Sequence, residues 1–299
     1  QLPTCQNNIM APQTERVYII GGTGNIGTKV VQDLVANRIP TTVYARNPSK
    51  AASLFPDSGD LVNVVQGDYS DLTPLKNSLR GHTRLFLLVN DLPNAVKHKV
   101  AIAKLAYEAG VKQIVDVSTC LAGPGWRPTY IGRVHGLAEK SIKEIPGRGA
   151  FVALRPGTFM SNLIHFEPRP ENVIRDVRES NEPQSWISPN DIAALAAIVL
   201  REDIEKHGDA VYELIGQIVT PAERAAILTR ILGRPITYEK IPVVAKYNVL
   251  LQVGYAHLPS YDLVALPETN QVTVGLPILL GREPETLEAY LTSKKEALL

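Results

Sequence analysis

A short apolar run, Val17-Tyr18-Ile19-Ile20, breaks directly into Gly21-Gly22-Thr23-Gly24-Asn25-Ile26-Gly27. Apolar positions then recur at 26, 30, 31, 34 and 35, a helical period that predicts a helix over Asn25–Asn37. A buried strand that turns into a helix through a few glycines leaves few architectures open to the rest of the chain. The alternation continues downstream. Strands are expected at Thr41–Ala45, Leu61–Val65, Leu85–Val89, Ile114–Val117 and Phe151–Leu154. Helices are expected at Ala95–Ala109, stopped by Gly110, and at Gly132–Ile145. Short buried strands alternating with amphipathic helices require parallel pairing and right-handed crossovers. The fold class is therefore α/β, a doubly wound parallel Rossmann sheet.

After Arg155 the rhythm changes. Prolines 156, 168, 170 and 183 stand among charges, and that stretch reads as irregular. A helix at Asp191–Leu200 and a strand at Val211–Ile215 return to the sheet. Pro221–Leu232 reads as a helix closed by Gly233, Ile236–Glu239 as a small strand, and Glu283–Leu299 as a final helix. The expected division is a nucleotide-binding domain over 16–157, completed by roughly 185–219. A smaller C-terminal substrate-binding region is expected from 158–184 and 220–299.

Composition removes several function classes. With 299 residues, 44% hydrophobic and 20% charged, the chain can bury a sizeable core and is too apolar for disorder. A formal charge of +1 without long charge runs gives no footprint for nucleic acid or a membrane surface. Its longest apolar stretches, such as Ile192–Leu200, fall far short of a membrane span. Cys5 and Cys120 make neither a disulfide framework nor a Cys-x-x-Cys pair, and the six histidines never adopt metal-ligand spacing. No metal is expected, and the predicted location is cytoplasmic. Gln1–Ile9 is polar and patternless, with Met10 a candidate start, and carries no functional reading.

The loop at Gly21, Gly24 and Gly27 has a specific chemical use. Without side chains the backbone can turn tightly and approach a pyrophosphate, which the helix N-terminus meets with free N–H groups and partial positive charge. A glycine turn needed only for packing would look similar, but the strand–loop–helix setting is the one dinucleotide binding demands. Thr23, Asn25 and Ile26 belong to the same loop. At the end of the second strand, where an acidic residue would take the ribose hydroxyls of NAD, this chain has Arg46, followed by Lys50. A guanidinium suits the 2′-phosphate of NADP, so NADP(H) is the expected cofactor.

These residues, with Gly67-Asp68-Tyr69, Leu154-Arg155-Pro156-Gly157, Asn162, Asp191-Ile192-Ala193 and Gly281-Arg282-Glu283-Pro284, resemble the NmrA-like family of atypical short-chain dehydrogenases/reductases. The resemblance implies a Rossmann domain with a small substrate region. It implies an activity among NADPH-dependent reductases of quinones, dyes, phenylpropanoids and imines, or a redox-sensing regulator that binds the dinucleotide without turnover. It places Asp68 and Tyr69 near the adenine and Leu88–Asp91, including Val89 and Asn90, along the cofactor path. Phe159, Met160 and Asn162 face the substrate by the same resemblance.

The catalytic centre departs from ordinary short-chain dehydrogenases. Ser118 precedes Tyr130 by twelve residues, but Val134 stands where Tyr-x-x-x-Lys would place its lysine. A tyrosine near its reference pKa of about 10 is a poor acid at neutral pH. His135-Gly136-Leu137-Ala138-Glu139 resembles the His-x-x-x-Glu of quinone and dye reductases, and residues four apart share a helix face, so Glu139 is expected to orient His135. A surface pair of Glu139 with Lys143 is the competing expectation. Ser118 is also a candidate nicotinamide contact, Cys120 reads as an inert thiol, and Trp126 in the loop 122–129 as a substrate wall. The leading reading is a reductase acting on a small, largely apolar activated electrophile: a quinone, imine, iminium or enone. The alternatives are a redox-sensing regulator and a cofactor-bound isomerase or cyclase. A small-molecule substrate is the expected partner.

Overall fold

The computed structural model describes residues 15–123, 125, 129–165, 172–265 and 271–299. The first six strands are β1 (Val17–Ile20), β2 (Thr41–Ala45), β3 (Val62–Gln66), β4 (Arg84–Leu87), β5 (Gln113–Val117) and β6 (Ala150–Pro156). Next come β7 (Thr158–Phe159), β8 (Val173–Asp176), β9 (Gln184–Ile187) and β10 (Val211–Leu214). Seven of them form one sheet in the order β3-β2-β1-β4-β5-β6-β10, with every pairing parallel. The direction of winding reverses between β1 and β4. A sheet of this kind opens a crevice there, beyond the carboxyl ends of its strands.

Period-two alternation along each strand decides what meets what. Val17 and Ile19 enter one apolar layer and Tyr18 and Ile20 the other. The first layer is built with α1 (Asn25–Ala36) and, late in the chain, the helix Pro189–Val199. Between α1 and that late helix run α2 (Pro48–Leu54), α3 (Thr73–Ser78), α4 (Ala95–Glu108) and α5 (Tyr130–Lys143), of which α3, α4 and α5 supply the second layer. In β5, Val115 and Val117 join the α1 side and Ile114 the opposite side. In β6, Val152 and Leu154 join the α1 side, with Phe151 and Ala153 opposite. Asp116 and Arg155 consequently project toward α4 and α5.

Beyond the sheet, β9 lies between β7 and β11 (Gln217–Val219), and β8 pairs with β12 (Thr237–Lys240). A third apolar cluster, with Met160, Trp186, Leu228 and Leu291 among its members, fills the space between these strands and the C-terminal helices. Helix Pro221–Leu232 begins with a capping box between Thr220 and Glu223 and ends at Gly233, at φ +69°.

The stretch expected to be irregular contains β7, β8 and a short helix, Asn162–His165. These elements are too brief to show a period. Strands β9 and β11 and the helices Val243–Gln252 and His257–Ala265 had no counterpart in the sequence reading. The last helix starts at Leu287, not Glu283, because Thr286 accepts from the Ala289 N–H and Pro284 precedes it. It stops at Ser293, and Lys295–Leu298 forms a separate turn of helix. Among the described residues no helix is long and apolar enough to cross a membrane.

Candidate active site

The glycine turn is closed more tightly than any side chain would allow. Gly21 stands at φ +85°, and a Cβ there would lie 2.6 Å from the Leu88 carbonyl oxygen. A Cβ on Gly27 would lie 2.2 Å from the Gly21 oxygen, so α1 presses directly on the turn. Gly24 is the N-cap of α1, no side chain caps the helix, and its first turn carries no acidic residue. The amides of that turn meet no competing oxygen from a cap, and the helix end is left fit to receive an anion.

A cleft of about 520 Å³ opens over this turn. Gly21, Thr23, Gly24, Arg46 and Lys50 line it. So do Tyr44, Ala45, Gly67, Asp68, Tyr69, Leu88, Asn90 and Asp91. Asn47 caps α2 by accepting from the Lys50 N–H at 3.0 Å, which fixes Lys50 beside Arg46. Among the described residues Arg46 makes no ion pair, because the neighbouring Asp68 turns its carboxylate to the Ser70 hydroxyl and N–H. Those two bonds hold Asp68 below the usual aspartate range. The Tyr44 hydroxyl donates to the Asp68 carbonyl at 2.8 Å, and a Cβ on Gly67 would collide with it at 2.3 Å. Tyr69 packs on His98 with ring centroids 4.8 Å apart.

A buried polar cluster lies at the carboxyl end of β5. Lys99 and Asp116 are both 0% exposed and paired at 2.7 Å. Lys99 also donates to the Val117 carbonyl at 2.9 Å and approaches His135 Nδ1 at 3.4 Å. Burial pushes the Asp116 carboxyl up, opposed by the Lys99 ammonium. Burial, reinforced by that ammonium, holds the His135 imidazole well below the ordinary histidine range. One helical turn on, Glu139 accepts from Ser118 Oγ at 2.5 Å and from Arg155 at 3.0 Å and 2.7 Å. Helix α5 carries both groups. Its N-terminus is capped by Thr129, and its Ile131 N–H donates to Asp262 at 2.9 Å.

The model of the NmrA-like family matches residues 13–272. The chain belongs to this family. Among its relatives, a (4-alkanoyl-5-oxo-2,5-dihydrofuran-3-yl)methyl phosphate reductase from Streptomyces griseus subsp. griseus is 32% identical, covering 94% of this chain and 98% of that protein. An NAD(P)H azoreductase from Xenophilus azovorans is also 32% identical, covering 87% of this chain and 93% of its own. Among solved structures, a new type of NADPH-dependent quinone oxidoreductase from Escherichia coli superposes with a TM-score of 0.74 at 25% identity. That alignment covers 93% of this chain and 98% of the other.

In this NmrA-like chain the cleft brings together Gly21, Thr23, Gly24, Arg46, Lys50, Asp68, Tyr69 and Asn90. Asn25 is exposed at the start of α1, within reach of the Tyr290 hydroxyl. Gly27 is buried under the turn, and the side chains of Ile26 and Val89 belong to the apolar layers, leaving only their backbone for a ligand. Ser118 is buried in the Glu139 cluster. Tyr130 is half-buried at the start of α5 with Arg133 over its ring, and no lysine contacts it among the described residues. Phe159 and Asn162 are half-buried on β7 and at the helix that follows. Trp126 lies outside the described residues.

Two expectations need correction. Glu139 does not orient His135, nor does it pair with Lys143: it is 3% exposed and saturated by Arg155 and Ser118. Met160 is 0% exposed inside the third apolar cluster, so it offers no surface as a substrate wall. The residues missed were Lys99 and Asp116, and both carried a signal. Lys99 falls on the apolar stripe of α4 with Ala95, Ile102, Ala103 and Ala106, and Asp116 interrupts the apolar run of β5. A charge on each of two buried faces calls for a partner.

Proposed function

We propose that the chain is an NADPH-dependent reductase that reduces a small, largely apolar, activated electrophile. The observation that carries this reading is one cleft holding both an uncapped glycine turn and the cations Arg46 and Lys50, which make no ion pair among the described residues. In that reading the α1 amides take the pyrophosphate, Arg46 and Lys50 the 2′-phosphate, and Tyr69 the adenine side. Bound NADPH supplies a hydride. The residues of the chain bind and orient it, exclude water, and provide His135 as the hydrogen-bonding group toward the acceptor. Phe159, on β7, and Asn162, at the helix that follows, would help enclose the acceptor beside the bound cofactor.

The acceptor class follows from what stands beside it. Reduction of an unactivated ketone leaves an alkoxide, which needs an acid tuned toward neutrality. Among the described residues no lysine contacts Tyr130. Quinones, iminium ions, azo groups and conjugated enones give stabilised or neutral products, whose protonation solvent can complete while the neutral His135 ring only donates a hydrogen bond. The acceptors in the relatives' names agree: a dihydrofuranone bearing an alkanoyl group is a conjugated carbonyl, and quinones and azo compounds are electron-poor π systems. The test is NADPH consumption with a panel of quinones, azo dyes and butenolides, against NADP reduction by simple secondary alcohols. Efficient alcohol oxidation would overturn the acceptor class.

A further inference from the structure

Lys99 sits where an amphipathic helix would place an apolar residue, and it is 0% exposed. Period two along β5 forces Asp116 onto the same side, also 0% exposed. As an ammonium, Lys99 Nζ has three hydrogens and finds three acceptors. They are the Asp116 carboxylate at 2.7 Å and 3.0 Å, the Val117 carbonyl at 2.9 Å and His135 Nδ1 at 3.4 Å. An ammonium only donates. Nδ1 must therefore offer its lone pair, and the single ring proton belongs on Nε2.

We propose that Lys99 and Asp116 are positioning residues: Lys99, anchored on Asp116, occupies Nδ1 of His135 and fixes its tautomer with the proton on Nε2. The charged groups around His135 support this assignment element by element. Helix α4 contributes Lys99 and β5 contributes Asp116, which is spent on Lys99. Helix α5 contributes Glu139 and β6 contributes Arg155, and these two close on each other and on Ser118. Among the described residues no carboxylate competes for the imidazole and Nε2 has no partner. The ring is thereby a donor of fixed direction, suited to a lone pair on an acceptor oxygen or nitrogen where negative charge develops. A histidine free to exchange tautomers would spend part of its population with the proton on the wrong nitrogen, a defect that is costly where a histidine acts in catalysis. The use of this donor rests on the reductase reading, but the tautomer does not.

The test is a long-range proton–nitrogen correlation spectrum of the full chain labelled with nitrogen-15 histidine, with the His135 signals assigned by their loss in His135→Gln. The expected spectrum near neutral pH shows one tautomer, with an unprotonated Nδ1 and a protonated Nε2. A proton on Nδ1, or on both nitrogens, overturns the proposal. In Lys99→Met/Asp116→Leu, which replaces the buried pair by apolar groups and avoids a stranded charge, the signals move toward the average of two tautomers. In the same variant kcat with a quinone falls roughly tenfold or more while KM for NADPH is unchanged. Retention of the parent tautomer in that variant would also overturn it. If the variant does not fold, the parent spectrum decides alone. A chain that reduces nothing, yet shows the expected spectrum, removes the functional reading and leaves this one standing.

Discussion

Replacing Arg46 by glutamate inverts the charge on one side of the cleft without touching the core, because the side chain is exposed at the end of β2. Arg46 has no ion pair to break among the described residues, and the neighbouring Asp68 is already committed to Ser70. Its attraction for a 2′-phosphate is therefore not offset by a lost internal partner. Hydrogen bonds to charged groups contribute about 1.5–3 kcal/mol each. Solvent screening at an exposed site reduces that, so the preference for NADPH over NADH is on the order of 1.4 kcal/mol or more, at least about tenfold in Kd. In Arg46→Glu the Kd for NADPH rises by at least about that factor, while the Kd for NADH, which lacks the phosphate, stays near its parent value. Isothermal titration with both cofactors at one ionic strength reads this directly. Equal dissociation constants in the parent protein would refute the reasoning, and so would a variant that keeps the preference.

Three further outcomes are expected. His135→Ala lowers turnover by about 100-fold with a quinone acceptor while leaving NADPH affinity unchanged, and steady-state kinetics beside a binding titration separates the two. Gly27→Ala drives a Cβ to 2.2 Å from the Gly21 oxygen, a backbone atom that cannot swing aside. It is expected to cost about 1–3 kcal/mol in a urea titration and to abolish the thermal shift produced by NADPH. The third concerns pH. The folded pKa of His135 lies well below its reference of 6.5, so below that pH the unfolded chain binds a proton the native state does not. Stability contributed by the neutral ring is present above about 6.5 and is lost as pH falls toward the folded pKa, at up to about 1.4 kcal/mol per pH unit. His135→Gln loses less stability on acidification than the parent. His82, lowered in the same direction, is present in both proteins and cancels. Equal losses would contradict the burial of a neutral imidazole.

Where one segment carries its own pattern, sequence and structure agree closely. Strands β1 and β2 occupy the residues expected of them, and α1 begins at Asn25, because a buried strand, a glycine turn and a helical period are all written within twenty residues. The cleft wall at Arg46 and Lys50 was legible for the same reason: its place is fixed by distance from that turn. The polar cluster was not. Lys99 and Asp116 meet across 17 positions and two elements, and Glu139 meets Arg155 across 16. Each looks locally like an exception, and only the stacking of α4 and α5 on one face of β5 and β6 makes them partners. The i,i+4 spacing that joins Glu139 to His135 is visible in sequence, whereas the arrival of a half-buried arginine from the next strand is not. The resemblance places Met160 toward the substrate, whereas in the fold the chain after β6 carries its side chain into the third apolar cluster.

Hydride transfer from bound NADPH to an activated acceptor is tested most directly by isotope transfer. The protein is mixed with NADPH carrying deuterium on one face of nicotinamide C4 and with a conjugated butenolide, whose reduced carbon retains what it receives. The reductase account predicts that one of the two labelled faces delivers one deuterium to the β-carbon of each product molecule, with NADPH consumed in equal amount. NADPH that binds firmly and survives every quinone, azo and enone acceptor, with no label in any product, would contradict the account and leave a chain that binds the dinucleotide without using it.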